Sequence, residues 1–438
     1  MMRGMVTRTN EAQFIDIDEL RIGMFVYLDL GWIRHPFALN SFKISSRDQI
    51  DTLIKLGVNR IRWSPDKSDY PDDPAAGTPD DPAPLTADSP RQAMAEAVAA
   101  GVAALARRRE QLTQQSDSLI VCERQFATAA RNYRQVMDNL LSQPEAAGTK
   151  VLEIVGDMVG VLQEQEETAI RLLSESVGER AAQHSINVAT LSLLLGKALG
   201  CDATALAALG SGALLHDIGK IELPDRLRWL DHQFNAAERN LYQEHVARGV
   251  AIGQKMRLPP AVLAIIAQHH ELADGRGYPE QLSGDGISPL ARIVALANHY
   301  DNLCNPANPG RAVTPHEAIA QIYATMKNQF ESSVLMPFIR MMGVYPPGSV
   351  IELTDGRHAL VVSVNAARPL RPRILIFDPQ VPRNEALVQD LEQLPDIGIR
   401  RSLKPLQLPK SAFDYLSPRQ RICYFFERAR LAAGGPLP

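Results

Sequence analysis

One stretch of the sequence, between positions 184 and 270, concentrates residue types that bind metal ions. It holds five histidines and one aspartate that could act together, namely His184, His216, Asp217, His245, His269 and His270. Imidazole nitrogens and carboxylate oxygens hold divalent transition metals while leaving positions open to water. A single histidine on an apolar helical face is more often a buried structural residue. Five histidines at this spacing, with an adjacent aspartate, predict a metal centre.

The first adjacent pair, His216 and Asp217, lies in the run LLHDIGK at 214–220. Neighbouring residues of a helix diverge by about 100°, so the pair would address different sides of a metal cluster, and one carboxylate could bridge two ions. Lys220 falls on the same predicted helical face, where its ammonium can meet a phosphate oxygen. We therefore predict Asp217 and Lys220 as catalytic residues.

The second adjacent pair, His269 and His270, opens the run HHELADGRGYP at 269–279. Two glycines and a proline predict a tight loop directly after the pair. The candidate substrate contacts in this loop are Gly277, Tyr278 and Pro279. Two ions about 3.5–4 Å apart would stabilise both the attacking hydroxide and the leaving oxygen of an in-line phosphoryl displacement. The two pairs together favour phosphodiester hydrolysis.

Taken in order, these motifs resemble the HD-GYP signature of bacterial cyclic di-GMP phosphodiesterases, which belong to the HD phosphohydrolase superfamily. The similarity continues through ARIVALANHYDNL at 291–303 and GVYPPGSVIELTDG at 343–356. The resemblance implies a helical bundle, a centre of iron or manganese ions, and hydrolysis of cyclic di-GMP to linear pGpG or to GMP. The family's metal ligands fall on His184, His216, Asp217, His245, His269 and His270.

Three positions depart from the family's pattern. Asn298 stands where the family has its last aspartate ligand, and a neutral amide oxygen binds a metal more weakly than a carboxylate does. The run Ala307-Asn308-Pro309-Gly310 replaces an arginine-rich run that holds the phosphate, which leaves Arg311 as the candidate substitute. Arg180 replaces a glutamate of the trinuclear members, which favours two divalent transition-metal ions, iron or manganese, over three.

Three functions remain open on these residues. The first is a metal-dependent phosphodiesterase acting on a cyclic dinucleotide. The second is a degenerate module that binds cyclic di-GMP or a signalling protein partner with little or no turnover, because Asn298 and the missing arginine-rich run weaken catalysis. The third is an HD hydrolase of another nucleotide or phosphate ester. The GYP loop argues against the third function, because simple HD hydrolases lack it.

The elements that position these residues are predicted to be helices. Residues 174–345 show strong apolar helical periodicity, and we expect them to form the HD-GYP bundle of a mainly α fold. Long helices are predicted over 91–173, including one from Lys150 to Leu173 with an apolar stripe. The stripe must pack against the following domain or against a partner chain. The length of these helices predicts a homodimer formed through 91–173.

Two smaller β-containing regions flank the helices. Residues 10–65 predict a small α+β domain, with strands at 24–28 and 58–63 and a helix that Ser45 caps and Gly57 ends. The domain resembles the accessory domain often found ahead of HD-GYP domains. A proline- and aspartate-rich linker follows at 66–90. Alternating residues predict a β appendage at 346–382 with a turn at Asp355-Gly356, followed by a tail at 383–438.

The composition excludes several classes of protein. The 46 basic and 50 acidic side chains give a net charge of −4, so no overall positive field recruits duplex nucleic acid. Four widely separated cysteines fit neither a disulfide scaffold nor a cysteine zinc site. The sequence shows neither a signal peptide nor an apolar run long enough to span a membrane, which predicts a cytoplasmic protein.

Several other polar residues of the chain receive structural interpretations. His35, His232, His299, His316 and His358 are each predicted to be surface or packing residues rather than ligands. Asp301 is predicted to anchor its helix through hydrogen bonds rather than to bind metal.

Overall fold

The structure is a computed structural model that describes residues 13–28, 37, 41–69, 90–163, 168–174, 180–229, 234–365 and 368–428. Most of the predicted linker, and also His35 and His232, lie outside the described residues. Of Arg180 and the first residues of the long helix at 90–139, only the backbone is described. None of the helices in these ranges is long and apolar enough to cross a membrane.

The N-terminal region forms a small antiparallel sheet covered by one helix, as predicted. Its elements are β1 (Gln13–Asp16), β2 (Phe25–Tyr27), β3 (Ser41–Lys43), α1 (Arg47–Lys55) and β4 (Arg60–Ser64). The strand order is β1-β4-β2-β3. Val26 and Trp63 from the sheet pack against Ile50 and Leu53 of α1, because the helix presents its apolar stripe to one face of the sheet.

The predicted boundaries of α1 were nearly correct. The N-cap is Ser46 rather than Ser45, and the backbone amide of Ser45 donates to Gln49 Oε1 instead. Gly57 ends the helix with φ of 72°, a left-handed conformation that glycine adopts without a steric penalty.

The region after the N-terminal domain contains two long helices and one strand, α2 (Pro90–Asn139), α3 (Pro144–Gln163) and β5 (Thr168–Leu172). The predicted helix from Lys150 to Leu173 was therefore wrong at its C-terminal end. Residues 168–172 are buried and pair with strands on both sides, so long-range pairing decides their conformation.

The apolar stripe of α3 is buried inside the chain. Val151, Ile154, Val155 and Leu162 are at most 2% exposed. The helix packs against α2 and against the helical bundle behind it. Of the two predicted partners for this stripe, the structure supplies the following domain of the same chain.

The helical bundle confirms the mainly α prediction. Its helices are α4 (Arg180–Ala198), α5 (Ala203–Leu215), α6 (Ala236–Gln243), α7 (His245–Lys255), α8 (Pro260–Gln268), α9 (Pro289–Cys304), α10 (Pro315–Thr325) and α11 (Ser332–Met342). Helix α5 is central, because it packs against α3, α4, α8 and α9. A helix surrounded in this way must be apolar on all sides, and Leu206, Leu209, Ala213 and Leu214 of α5 are all buried.

The C-terminal part of the described chain is mainly a sheet. Its elements are β6 (Val350–Leu353), β7 (His358–Asn365), β8 (Arg373–Ile376), β9 (Val388–Asp390), β10 (Ile399–Leu403), α12 (Lys410–Leu416) and β11 (Tyr424–Arg428). The order β10-β6-β7-β5-β11 forms the main path, and β8 and β9 continue from β7. The predicted turn at Asp355-Gly356 is present, with Gly356 at φ of 84°.

This sheet is larger than the predicted β appendage. Strands β9, β10 and β11 lie in the region predicted as a tail, and β5 comes from the region predicted as helix. These short strands carry mixed polarity, so pairing with distant neighbours, rather than an alternating pattern of their own, specifies them. The pairing of β5 with β11, together with the contacts of β11 with α4, places this last described strand next to the bundle.

Candidate metal centre

The structure brings together the six predicted histidine and aspartate ligands. Their donor atoms form two groups whose members lie within 4.8 Å of one another, and Asp217 belongs to both. One group is His184, His216 and Asp217, and the other is Asp217, His245, His269 and His270. The ligands come from the interior of α4, the ends of α5 and α8, and the start of α7.

The local conformation of the His216–Asp217 pair differs from the prediction. Helix α5 ends at Leu215, and the chain continues into a 3₁₀ helix over Ile218–Glu222. A side chain at Gly219 would collide with the backbone of His245, so glycine allows this turn to pack closely against α7. The two ligands therefore separate at a helix end rather than along a continuous helix.

The carboxylate of Asp217 lies between two pairs of imidazoles. Its Oδ2 is 3.5 Å from His184 Nε2 and 3.4 Å from His216 Nε2. Its Oδ1 is 3.4 Å from His245 Nε2 and 3.7 Å from His269 Nε2. Each oxygen thus faces its own pair of nitrogens, which is the arrangement that a carboxylate shared between two ions requires.

Backbone hydrogen bonds orient three of these imidazoles. The Nδ1 atoms of His216, His245 and His269 lie 2.6–2.8 Å from carbonyl oxygens three residues earlier, in the last turns of α5, α6 and α8. A carbonyl oxygen only accepts, so each Nδ1 carries the hydrogen and the ring directs its Nε2 towards Asp217. These bonds also satisfy carbonyl groups that a helix end leaves free.

The resulting cluster is suited to a cation. The Nε2 atoms of His245 and His269 are 3.3 Å apart, and those of His184 and His216 are 3.2 Å apart. Among the described residues, Asp217 Oδ1 has no hydrogen-bond donor. On the Oδ1 side, a carboxylate oxygen and the imidazole nitrogens of His245 and His269 converge without a donor, and such groups repel one another unless positive charge lies between them. The donor set therefore fits divalent metal ions.

His184 is oriented by a carboxylate instead of a carbonyl. Its Nδ1 lies 2.7 Å from Oδ2 of Asp301, which is fully buried in α9. Oδ1 of Asp301 accepts hydrogen bonds from Asn187 at 2.8 Å and Asn305 at 2.9 Å. Asp301 was predicted to anchor its helix through hydrogen bonds rather than to bind metal, and these bonds agree with that prediction; in addition, the residue positions a ligand. An aspartate in an apolar helical run must have partners, and that signal was present in the sequence.

The pKa values of the cluster follow from burial and from the charges around Asp217. Burial lowers the pKa of His216 to about 4 and that of His245 to about 3, so both rings are neutral at pH 7, as metal binding requires. Burial also lowers the pKa of His184, but its bonds with Asp217 and Asp301 outweigh burial and raise it to about 9. In the absence of a metal, positive charge is therefore favoured at this position.

Lys220 keeps Asp217 ionised. Its Nζ lies 2.6 Å from Asp217 Oδ2. Burial opposes the charge on each group, but their attraction holds the pKa of Asp217 well below its usual range and raises that of Lys220. Lys220 thus lies at the cluster as predicted, although its ammonium contacts a ligand carboxylate.

A cavity of about 450 Å³ opens above the cluster. Its lining includes residues predicted for the site, namely His184, Lys220, His269, His270, Gly277, Tyr278 and Asn298. Pro279 follows Tyr278 directly in the chain but does not line the cavity. Arg311 is exposed in a 3₁₀ turn at 309–311 and does not line this cavity, so the structure does not bring it to the site.

The GYP loop forms one wall of the cavity. The ring of Tyr278 stacks on His270 with a centroid distance of 4.4 Å. A side chain at Gly277 would collide with the backbone of 270–272, so glycine permits the loop to fold back on the ligand pair. The carboxylate of Glu271 accepts from the backbone amides of Glu280 and Leu282 and holds the loop in place.

Asn298 lies at the cavity wall and is 3% exposed. Its Oδ1 accepts a hydrogen bond of 2.6 Å from Asn302 Nδ2 on the same helix. The atom that would replace a carboxylate ligand therefore already has a partner.

Several cavity residues were missed or interpreted differently in the sequence. His299, predicted as a surface or packing residue, lines the cavity beside Phe330, and burial lowers its pKa to about 4. The other lining residues that the sequence did not single out include Trp229, Arg239, Tyr242, Arg276 and Asn302. None of these residues forms a sequence motif of its own, and they lie close together only in the folded chain.

A helical bundle that gathers histidines around one aspartate defines an HD-type metal site, and comparison with known proteins agrees. Residues 164–334 match the HD domain family, and residues 13–151 match a domain of unknown function, DUF3391. Residues 164–334 are thus similar to HD domains and residues 13–151 to DUF3391 domains, in agreement with the HD-type resemblance and the accessory domain recognised in the sequence.

Similar proteins include curated bacterial phosphodiesterases. The chain is 26% identical to the cyclic di-GMP phosphodiesterase PA4108 of Pseudomonas aeruginosa, over 83% of this chain and 84% of that protein. It is 28% identical to the cyclic di-GMP phosphodiesterase response regulator RpfG of Xanthomonas campestris, over 48% of this chain and 58% of RpfG. Among solved structures, Bd1817, a protein from Bdellovibrio bacteriovorus, aligns at 17% identity with a TM-score of 0.41, over 74% of this chain and 97% of that one.

Proposed function

We propose that this chain is a metal-dependent phosphodiesterase that hydrolyses a cyclic dinucleotide, with cyclic di-GMP as its substrate. The observation that carries the proposal is the carboxylate of Asp217, which faces two separate pairs of imidazole nitrogens below an open cavity. The names of PA4108 and RpfG supply the substrate class.

The residues present divide naturally between two ions, iron or manganese. His184 and His216 would hold one ion with Asp217 Oδ2, and His245, His269 and His270 would hold the other with Asp217 Oδ1. When bound, such ions activate water and stabilise the attacking and leaving oxygens of a phosphoryl displacement.

The protein's own residues supply orientation and charge. Lys220 keeps the bridging carboxylate ionised and adds positive charge beside the position where a phosphate would develop negative charge. Gly277 and Tyr278 wall the cavity on the side of His270, which restricts how a substrate can lie. In this proposal the leaving ribose oxygen takes its proton from solvent.

The test is to load the full-length chain with Mn²⁺ or Fe²⁺, incubate it with cyclic di-GMP, and separate the products. We expect pGpG or GMP from the loaded protein and no product from Asp217→Ala or from chelator-treated protein. Metal content measured on the same samples should approach two ions per chain. A folded, metal-loaded protein that leaves cyclic di-GMP intact would reject the enzymatic proposal.

A second candidate function is a binding module with little turnover. Asn298 favours it, because its amide oxygen already accepts from Asn302 and supplies no charge to the centre. Under this alternative the loaded protein binds cyclic di-GMP in a calorimetric titration without hydrolysing it. Asn298→Asp should then raise turnover if the neutral amide limits catalysis, and an unchanged rate would exclude that explanation.

The predicted homodimer through 91–173 remains a proposal. The stripe of α3 is already covered within the chain, so a partner would have to use apolar side chains that α2 and α3 still expose. These include Val102, Ile120, Val121 and Leu152, each more than 40% exposed. Light scattering of the purified chain would test the prediction, and a monomer at micromolar concentration would contradict it.

A further inference from the structure

The cavity above the metal-binding cluster is lined by charges of one sign. Three of its lining residues are cationic, Lys220, Arg239 and Arg276, and no aspartate or glutamate occurs among the described residues that line it. A cleft lined by one sign of charge concentrates ligands of the opposite sign. The cavity is therefore suited to a ligand with more than one negative charge.

Two of the three cations already have a carboxylate partner. Lys220 Nζ lies 2.6 Å from Asp217 Oδ2. Arg276 holds Asp274 through two nitrogens, with Nη2 at 2.7 Å and Nε at 2.8 Å from Oδ2. In the described part of the chain, Arg239 forms no ion pair with any carboxylate. The guanidinium of Arg239 is thus available for an incoming anion.

The position of Arg239 on α6 directs it to the same cavity as the cluster. Arg239 precedes Tyr242 by three residues and Gln243 by four, which places the three on one helical face, and all three line the cavity. Tyr242 fixes this face, because it is 3% exposed and its ring centroid lies 4.9 Å from that of His245.

The neighbouring residue of α6 is engaged elsewhere. The carboxylate of Glu238 closes the capping box with Asn235 and is bonded to Arg226. It is therefore held at the N-terminal end of the helix by other partners. This arrangement leaves the positive charge of Arg239 uncompensated by the adjacent acidic side chain.

We infer that Arg239 binds the second, non-reacting phosphate of a cyclic dinucleotide while the first phosphate lies at the metal-binding cluster. The inference rests on the proposed function and names the residue that recognises its substrate. A cyclic dinucleotide carries two anionic phosphodiesters, and only one is cleaved at a time. The predicted phosphate-binding residue, Arg311, lies outside the cavity. A planar guanidinium binds phosphate oxygens through two parallel hydrogen bonds, which an ammonium cannot do.

The experiment compares two substrates and two variants of the metal-loaded, full-length chain. Cyclic di-GMP has two phosphodiesters, whereas bis(4-nitrophenyl) phosphate has one. For Arg239→Gln we expect the Kd or KM for cyclic di-GMP to rise about tenfold or more. The ratio of kcat/KM for cyclic di-GMP to that for bis(4-nitrophenyl) phosphate should fall by a similar factor.

Arg276→Gln is the matched control, because Arg276 lines the same cavity with its guanidinium already paired. We expect its substrate ratio to change less than about threefold. An equal loss on both substrates in Arg239→Gln, unchanged binding in that variant, or a larger ratio change in Arg276→Gln would overturn the assignment. If the wild-type chain neither binds nor cleaves cyclic di-GMP, the proposed function itself fails and this inference fails with it.

Discussion

Two carboxylates of this chain with little exposure to solvent, Asp217 and Glu427, have opposite surroundings. Glu427 in β11 is 2% exposed, and each of its oxygens has two partners. Oε1 accepts from Ser118 at 3.0 Å and Arg171 at 3.3 Å, and Oε2 accepts from Ser363 at 3.0 Å and Arg373 at 3.0 Å. Oδ2 of Asp217 contacts the Lys220 ammonium, while Oδ1 has no donor among the described residues and faces the Nε2 atoms of His245 and His269.

This difference in hydrogen-bond partners distinguishes a structural carboxylate, Glu427, from a candidate metal ligand, Asp217. The partners of Glu427 come from α2, β5, β7 and β8, so the carboxylate joins the long helix to the sheet, and its bonding capacity is filled within the chain. The bonding capacity of Asp217 is left incomplete. A buried polar atom without a partner costs free energy and requires an explanation, and beside two imidazole nitrogens a bound cation provides one.

The largest effect is expected from Asp217→Asn. The change removes the shared negative charge of the cluster, so metal binding should weaken and phosphodiesterase activity should fall by roughly a thousandfold or more. The metal-free variant should remain folded, because the loss of the Lys220 ion pair is offset in part by removal of the uncompensated charge on Oδ1. Metal content, turnover and thermal unfolding of the metal-free protein check the prediction. A variant that keeps both ions and full activity would show that Asp217 is not the bridging ligand.

Glu427→Gln should have the opposite effect. It removes the charge that compensates buried Arg171, which is 5% exposed, so the free energy of unfolding should fall by about 3 kcal/mol while metal binding is kept. Urea unfolding measures the change. Glu392→Gln is the control, because Glu392 forms an ion pair with Arg368 at the surface and should contribute less than about 1 kcal/mol. Equal losses in the two variants would contradict the structural role of Glu427.

Asp301→Asn tests an intermediate case. Both oxygens of Asp301 have hydrogen-bond partners within the chain, but one of these partners is a residue of the metal-binding cluster, His184. The variant loses the charge that orients His184, and we expect metal affinity to fall about 10- to 100-fold while the chain remains folded. Calorimetric titration with Mn²⁺ measures the affinity. Asp285→Asn, a change at an exposed residue ahead of α9, should leave it unchanged. An unaltered affinity in Asp301→Asn would limit Asp301 to a role in helix packing.

The candidate metal ligand Asp217 was easier to predict from the sequence than the structural carboxylate Glu427. Histidines and aspartates within apolar helical runs are unusual, so His216, Asp217, His269 and His270 could be predicted as ligands from residue type and spacing alone. Their supporting groups could not be predicted in the same way. Asp301 lies 117 positions from His184, and only the packing of α9 against α4 brings the two together.

The C-terminal sheet also depends on contacts between distant parts of the chain, which the sequence pattern does not reveal. Strand β5 follows an apolar helical pattern without a clear break in the sequence, and its conformation depends on pairing with β7 and β11. Those partners lie about two hundred residues or more away, so no local periodicity reports them. The partners of Glu427 could not be predicted from the sequence either, because the four residues lie on four different elements.

The smallest effect concerns pH. Burial opposes the charge of Glu427, but Arg171 and Arg373 outweigh it and hold the pKa of this carboxyl below its usual value. A depressed folded-state pKa stabilises the fold above the unfolded pKa, near 4.3, and the contribution is lost as pH falls through the folded value. The stability difference between wild type and Glu427→Gln should therefore be fully present at pH 7 and shrink below about pH 4. Urea unfolding of the two proteins in chelator, so that metal loss does not contribute, measures this difference at each pH. A difference that stays constant down to pH 3 would mean that the charge of Glu427 does not stabilise the fold.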